Sequence, residues 1–395
     1  MGDRSILISG AGIAGPTLAY WLLERGFAPT IVERAPALRT GGYMIDFWGV
    51  GYDVAERMGL LPDLHADGYR IDRVSFVDTR GHPVAGFAAD AFRAPMHNRF
   101  VSLPRGDLAR RAFERVEGRV EMIWGDCITR LEERDDRVLA SFENAWARSF
   151  DAVIGADGLH STVRSLAFDA FGAERFLGYY TAAFRAPAYP HRDADTYVAF
   201  SIPGGQVARY ALRDGSSAFF FIVASNAPLT PVTHEVDAQR RLLRERFGGA
   251  GWECDEILEC LDRADDLYFD AVAQIRLNAW SRGRIGLVGD AAFCPSLLSG
   301  QGSALAMAGA YVLAHAIGEH DTDIRSAFLA YEREFRPFVE QKQRSAKRFG
   351  SWLAPRTRLG IRLRDLGTAF LGLPMVGEAL IARSVGDRFE LPPLS

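Results

Sequence analysis

Two kinds of apolar patterning divide the chain. Ile6-Leu7-Ile8-Ser9 is an unbroken run ending at a glycine, the pattern of a parallel strand buried on both faces. A helix is predicted from Ala14 to Arg25 with Gly26 as its C-cap, and a strand from Pro29 to Glu33. Together they form a βαβ unit. Arg284 to Gly289 reads as another buried strand, followed by a long helix from Gln301. Between these regions the pattern changes. Tyr179–Pro187, Thr196–Ile202, Gln206–Leu212 and Ser217–Ala224 are short runs rich in aromatic and β-branched residues. Gly204-Gly205 and Asp214-Gly215 punctuate them as turns, so an antiparallel sheet is predicted. Helical patterns return at Asp237–Phe247 and at Ile324–Phe349. The charges of the second read as a solvated face rather than an anion site.

The expectation is an α/β chain, α+β overall. A discontinuous Rossmann-like domain spans residues 1–175 and 278–350. An antiparallel-sheet domain, 176–277, is inserted into it, and a helical segment, 351–395, ends the chain. An earlier start for the inserted sheet, near residues 70–105, is left open.

Composition adds limits. A chain of 395 residues, 48% hydrophobic and 24% charged, has ample material for a large core. A net charge of −4 favours neither nucleic acid nor an anionic membrane as partner. Lysine occurs only at Lys342 and Lys347, an arginine bias read as the mark of a GC-rich genome. Cys127, Cys254, Cys260 and Cys294 have no metal-like spacing, so reduced thiols, no metal and a cytoplasmic location are expected. The N-terminal run lacks a signal peptide's basic flank. Leu366–Ala382 is apolar but short and interrupted, and reads as a packed helix pair rather than a membrane span.

The candidate chemistry begins at Gly10-Ala11-Gly12-Ile13-Ala14-Gly15, between the first strand and the first helix. Gly10 permits the tight turn, Gly12 lets the backbone approach a pyrophosphate, and Gly15 lets helix and strand pack. The phosphates would sit at the helix N-terminus, with Glu33 on ribose hydroxyls. This constellation indicates a dinucleotide without choosing between a flavin and a nicotinamide.

Two further motifs narrow the choice. Ala152 to Gly158 is a strand running into Asp157-Gly158, with Ser161 and Arg164 beyond. Gly286 to Asp290 is a strand ending in Gly289-Asp290, followed by Pro295 and Gly300-Gln301-Gly302. With these in order, residues 4 to 350 resemble the aromatic-hydroxylase class (group A) of FAD-dependent flavoprotein monooxygenases. Glu33-Arg34 and Gly41-Gly42-Tyr43-Met44-Ile45-Asp46 are most similar to tetracycline-inactivating monooxygenases and actinobacterial polyketide hydroxylases.

The resemblance implies FAD contacts at Gly10, Gly12, Ala14, Gly15, Glu33, Arg34, Asp46, Arg105, Asp157, Gly289, Asp290, Pro295, Gly300, Gln301 and Gly302. Asp290 would bind a ribityl hydroxyl, and Asp157 would lie near the pyrophosphate and bear on NAD(P)H use. Arg105 would reach the flavin side; a surface salt bridge is its alternative. For Asp46 the alternative is a plain turn aspartate. Many members carry two prolines where this chain has Pro295-Ser296, which weakens the expected Pro295 contact. The helix from Gln301 would aim its positive end at the N1–C2=O edge of the flavin.

The implied reaction uses NADPH or NADH and O2 to hydroxylate an aromatic or polycyclic small molecule through a C4a-hydroperoxyflavin. It needs no protein nucleophile. Phe184, Phe200, Tyr210, Phe219, Phe220 and Phe221 are candidate substrate walls, although alternation lets only some of them face inward. Arg209 and Arg213 are expected at the surface, with contact to an anionic or phenolic substrate as the alternative, and His160 in a loop without a catalytic role. A monomer or weak dimer is expected. The rivals are a reductase or halogenase on the same fold, and a non-catalytic FAD- or ligand-binding protein. The halogenases' Trp-x-Trp-x-Ile-Pro motif is absent.

Overall fold

Ser5–Ser9 lies at the heart of a six-stranded sheet, with Ala28–Glu33 and Ala152–Gly155 parallel to it on either side. Glu121–Trp124 extends one flank and Ile285–Leu287 the other, both parallel, and Ser281–Arg282 closes an edge antiparallel. This computed structural model describes residues 4–38, 43–229, 235–320, 323–371 and 389–394. The strands come from separated stretches of sequence, as the discontinuous pattern predicted. Ile6, Leu7, Ile8 and Ala152 to Ile154 are almost wholly buried, which explains their unbroken apolar runs. Ala14–Leu23 stops two residues before its predicted end, with Glu24 rather than Gly26 as its C-cap; Gly26 instead closes the turn that follows, at a φ of +77° that only glycine adopts at little cost. Gly302–Glu319 packs against it and is buried on nearly every side, hence its alanine-rich sequence.

The second sheet has seven strands, in the order Tyr268–Ile275, Glu174–Ala186, Ser217–Ala224, Gly205–Ala211, Thr196–Ile202, Arg73–Val77 and Pro83–Ala88. All pairings are antiparallel except that of Thr196–Ile202 with Arg73–Val77. The two strands at one edge, Arg73–Val77 and Pro83–Ala88, thus come from the 70–105 region. Glu174–Ala186 begins five residues before the predicted Tyr179. Gly178, at φ +88°, sits in a bulge, where the register shifts between Phe176 and Tyr180.

Val236–Phe247 and Cys254–Arg263 cover the outer face of this sheet. Ile324–Leu353 runs four residues past its predicted end despite Pro337, and Arg358–Leu371 follows. The rest of the predicted pair, 372–382, lies outside the described residues. The C-terminal tail docks on this helical side. Phe389 packs on Phe335 and Phe338, and the Pro392 carbonyl accepts from Arg57 and the Tyr311 hydroxyl. Among the described residues no helix is long and apolar enough to cross a membrane.

Candidate active site

The three glycines of the first turn are needed for different reasons. A Cβ on Gly10, at φ +106°, would meet the Ala156 carbonyl oxygen at 2.6 Å, and one on Gly15 would meet the Gly10 oxygen at 1.9 Å. A Cβ on Gly12 would meet no protein atom within 4 Å. Gly12 therefore answers to something other than the protein's own packing. The helix that follows has no side-chain cap, so its first N–H groups are available to an anion. Glu33, at the end of its strand, accepts from the Ala11 N–H at 2.8 Å and the Ala35 N–H at 2.9 Å.

This turn opens on a cavity of about 1750 Å³. Most small-molecule pockets hold roughly 300–1,000 Å³, so this one has room for a dinucleotide and a second ligand. The carboxyl ends of the parallel strands line it, through Gly10, Glu33, Asp157 and Asp290. Asp157 also supports a helix cap made by Ser161, whose hydroxyl accepts from the Arg164 N–H. Asp157 accepts from the Ser161 hydroxyl and from the N–H groups of Thr162 and Val163, fixing the start of Thr162–Ala167. Arg34 reaches the same helix through the Thr162 hydroxyl at 2.8 Å.

Arg105 opens the helix Arg105–Glu114 and projects into the cavity among Tyr43, Tyr268, Cys294 and Asp290. Among the described residues it is in no salt bridge. Burial raises the Asp290 carboxyl, with Arg105 opposing, and pushes the Tyr43 hydroxyl up to about 12. Asp46 lies on Met44–Trp48, accepts from the Ser102 hydroxyl at 2.6 Å, and is likewise raised by burial. Gly41 and Gly42 lie outside the described residues.

Ser296 to Gly302 line the cavity, with Gly300 at φ +66° against the Trp48 ring. Gly302 begins its helix without a side-chain cap, so this N-terminus also faces the cavity. Pro295 does not line it. Pro295 is buried behind the loop, where its carbonyl accepts from Gln274. Gly15 and Gly289 are likewise packing positions outside the cavity wall: a Cβ on Gly289 would press on Ala14.

The second sheet supplies the other wall through Tyr197, Gln206, Tyr210 and Phe220, joined by Phe76 and Phe87. Phe184, Phe200, Phe219 and Phe221 are corrected from cavity wall to core. They point to the opposite face and pack with Leu243, Phe247, Ile257 and Leu261. Side chains alternate along each strand, and here both faces are covered, so aromatic content alone does not tell them apart. Arg209 is a second correction. Expected at the surface, it is 2% exposed and ion-paired to Asp193 and Glu253. Arg213 is exposed. His160 stands in a loop at the cavity edge, its pKa raised by a hydrogen bond to Asp270.

Trp48, Phe76, Tyr197, Gln206 and Trp352 were missed as cavity residues. The parity of Thr196–Ile202 held a signal for Tyr197. An amphipathic helix after the sheet must cover one face, which leaves the other parity for the cavity. Trp352 carried no such signal. Among the described residues no group of three or more acidic, histidine or cysteine side chains could hold a metal ion.

Glycine turn, acidic strand ends and a glycine loop around one cavity are the arrangement of a dinucleotide-dependent oxidoreductase. The chain belongs to the FAD binding domain family, which it matches over residues 3–346, and within it to the family of the flavin-dependent monooxygenases. A flavin-dependent monooxygenase of an unknown prokaryotic organism is 36% identical over 357 residues, 89% of each chain. The crystal structure of tetracycline destructase Tet(55) matches with a TM-score of 0.85 and 31% identity over 99% of both chains. Klebsiella pneumoniae HpxO, complexed with FAD and uric acid, shares the fold at a TM-score of 0.78 and 23% identity, over 96% of this chain and 95% of its own.

Proposed function

We propose that the protein uses NADPH or NADH and O2 to hydroxylate a planar aromatic or polycyclic small molecule. The observation that carries this reading is the continuity of the cavity. One space runs from the glycine turn to the aromatic face of the second sheet. Bound FAD supplies the redox chemistry, passing electrons from the nicotinamide to O2. The chain's residues bind, orient and enclose.

The open side of Gly12 and the uncapped helix behind it suit a pyrophosphate, with Glu33 near a ribose. Asp290, raised by burial, suits a hydrogen bond to a ribityl hydroxyl. Arg105 and Asp46 would flank the ring, and the helix start at Gly302 would face its electron-rich edge. Tyr197 and Tyr210 lie nearly parallel, 16° apart, and with Phe76 and Phe220 offer flat apolar surface to a flat substrate. Tetracycline destructase and the uric acid complex of HpxO are consistent with such a ligand class.

The test is anaerobic mixing of the FAD-loaded protein with NADPH or NADH and a panel of polycyclic phenols. Bleaching of the flavin band is expected, followed on adding labelled O2 by one labelled oxygen atom in the product. A flavin that neither nicotinamide bleaches, or a product without labelled oxygen, would sink the reading.

A further inference from the structure

The loop that lines the cavity from Ser296 to Gly302 is held from behind by two glutamines that are not part of the cavity wall. Gln343, on Ile324–Leu353, is 4% exposed, and Gln274, on Tyr268–Ile275, is 2% exposed. The two N–H groups of the Gln343 side-chain amide face three carbonyls, Ile275 at 2.8 Å, Phe293 at 3.1 Å and Cys294 at 3.3 Å, so that one hydrogen is shared between two of them. The side-chain amide of Gln274 donates to the Pro295 carbonyl at 3.0 Å and to the Gln343 backbone carbonyl at 2.7 Å. Three consecutive carbonyls leading into the loop are therefore fixed by glutamine side chains.

The next residue shows why such fixing is needed. Ser296 is 1% exposed and has φ +103°, a conformation L-residues rarely hold. Backbone of this kind persists only where its surroundings over-determine it, and it gathers at functional sites. The Ser296 carbonyl accepts from the Ser299 hydroxyl at 2.7 Å, and its own hydroxyl accepts from the Leu298 N–H. The amides clamp the entry to the strained residue and the serines clamp its exit. At the far end the chain passes so near Trp48, whose ring lines the cavity, that a Cβ on Gly300 would meet that ring at 3.3 Å. The brace thus joins an edge strand of the aromatic sheet, the long helix and the loop between the two halves of the cavity.

We propose that Gln343, supported by Gln274, is a positioning residue for the monooxygenase reaction. It fixes the loop so that substrate and cofactor ring meet in register. This rests on the placement of the ring given under Proposed function. In the coupled reaction NAD(P)H, a proton, O2 and substrate give NAD(P)+, water and hydroxylated product. When the loop is loose, the same two electrons and two protons leave on O2 as H2O2, and the substrate is unchanged.

The experiment compares Gln343→Leu with the unsubstituted protein, using Gln274→Leu as the milder variant should the first not fold. Quenching of Trp48 emission by acrylamide, taken as the difference from a Trp48→Phe background, reports the loop without FAD. The visible spectrum and midpoint potential report the bound flavin, and H2O2 formed per NAD(P)H reports coupling. The expected result is easier quenching, a shifted flavin band and about a tenfold larger H2O2 share, since misplacement of the order of 1 Å is costly. A variant that only melts earlier, with quenching, spectrum and H2O2 share unchanged, overturns the proposal. If the unsubstituted protein oxidises no nicotinamide, the functional reading fails instead, while the Trp48 measurement still reports on the brace.

Discussion

Gly12 and Gly15 belong to one motif and make opposite predictions. Gly15→Ala sets a Cβ against backbone that has no room to move, so the apoprotein itself should melt earlier. Gly12→Ala meets only open space, so the apoprotein should change by no more than about 0.5 kcal/mol while FAD affinity falls at least about tenfold. Thermal melts with and without FAD, alongside a fluorescence titration, separate the two. Asp67 yields a prediction in pH. Hydrogen bonds from Arg111 hold its carboxyl below the usual range, against a smaller effect of burial, and so tie Leu61–Asp67 to the helix that Arg105 begins. A folded value below the unfolded one stabilises above about pH 4 and is lost as pH falls through the folded value. Asp67→Asn should therefore cost about 1 kcal/mol at pH 7 and converge with the unsubstituted protein in acid, as urea titrations would show. At this scale the glycine motif was legible because the constraint is local and backbone-borne. The support of Asp157 for a helix cap and the pairing of Arg209 were not, because their partners are set by the fold.

Elements were legible in position more than in orientation. Thr196–Ile202 and Ser217–Ala224 fall where turn residues and β-branched runs placed them. The early part of Glu174–Ala186 was not read, because it precedes a glycine bulge that interrupts the strand pattern. Facing was hidden because Ser217–Ala224 carries aromatic residues at successive positions and both its faces are covered. Neighbouring phenylalanines should accordingly behave differently. Phe219→Ala empties a fully buried site and should cost about 3–5 kcal/mol in chemical denaturation. Phe220→Ala and Tyr210→Ala, on the cavity side, should change substrate affinity by about tenfold with a smaller loss of stability. Equal stability losses with unchanged affinity would contradict the assignment of faces.

For the molecule as a whole, the cavity wall is drawn from a long stretch of the chain, from Ser9 to Leu353. Such a site is legible only where a motif marks it, which is why wall residues such as Gly10, Glu33, Asp157 and Asp290 could be singled out in the sequence and Trp48, Phe76 and Trp352 could not. Ligand and tail should both act on global stability. FAD at about a hundred times its Kd should add about 2.7 kcal/mol, seen as a melting point that climbs with FAD concentration and drops when it is stripped. Deleting residues 389–395 exposes the ring contacts of Phe389 and frees Arg57 and Tyr311 from the Pro392 carbonyl. An earlier melt is expected in calorimetry, with the flavin spectrum intact. The alternation along the second sheet has a last consequence, for how such a protein can diversify. Odd and even positions answer to different selective pressures: one parity keeps the domain folded, and the other meets whatever enters the cavity. On the proposed function, substrate range would drift by single substitutions at Tyr197, Gln206, Tyr210 or Phe220 while the opposite parity holds still. One scaffold can thereby be inherited by enzymes that share little in what they oxidise.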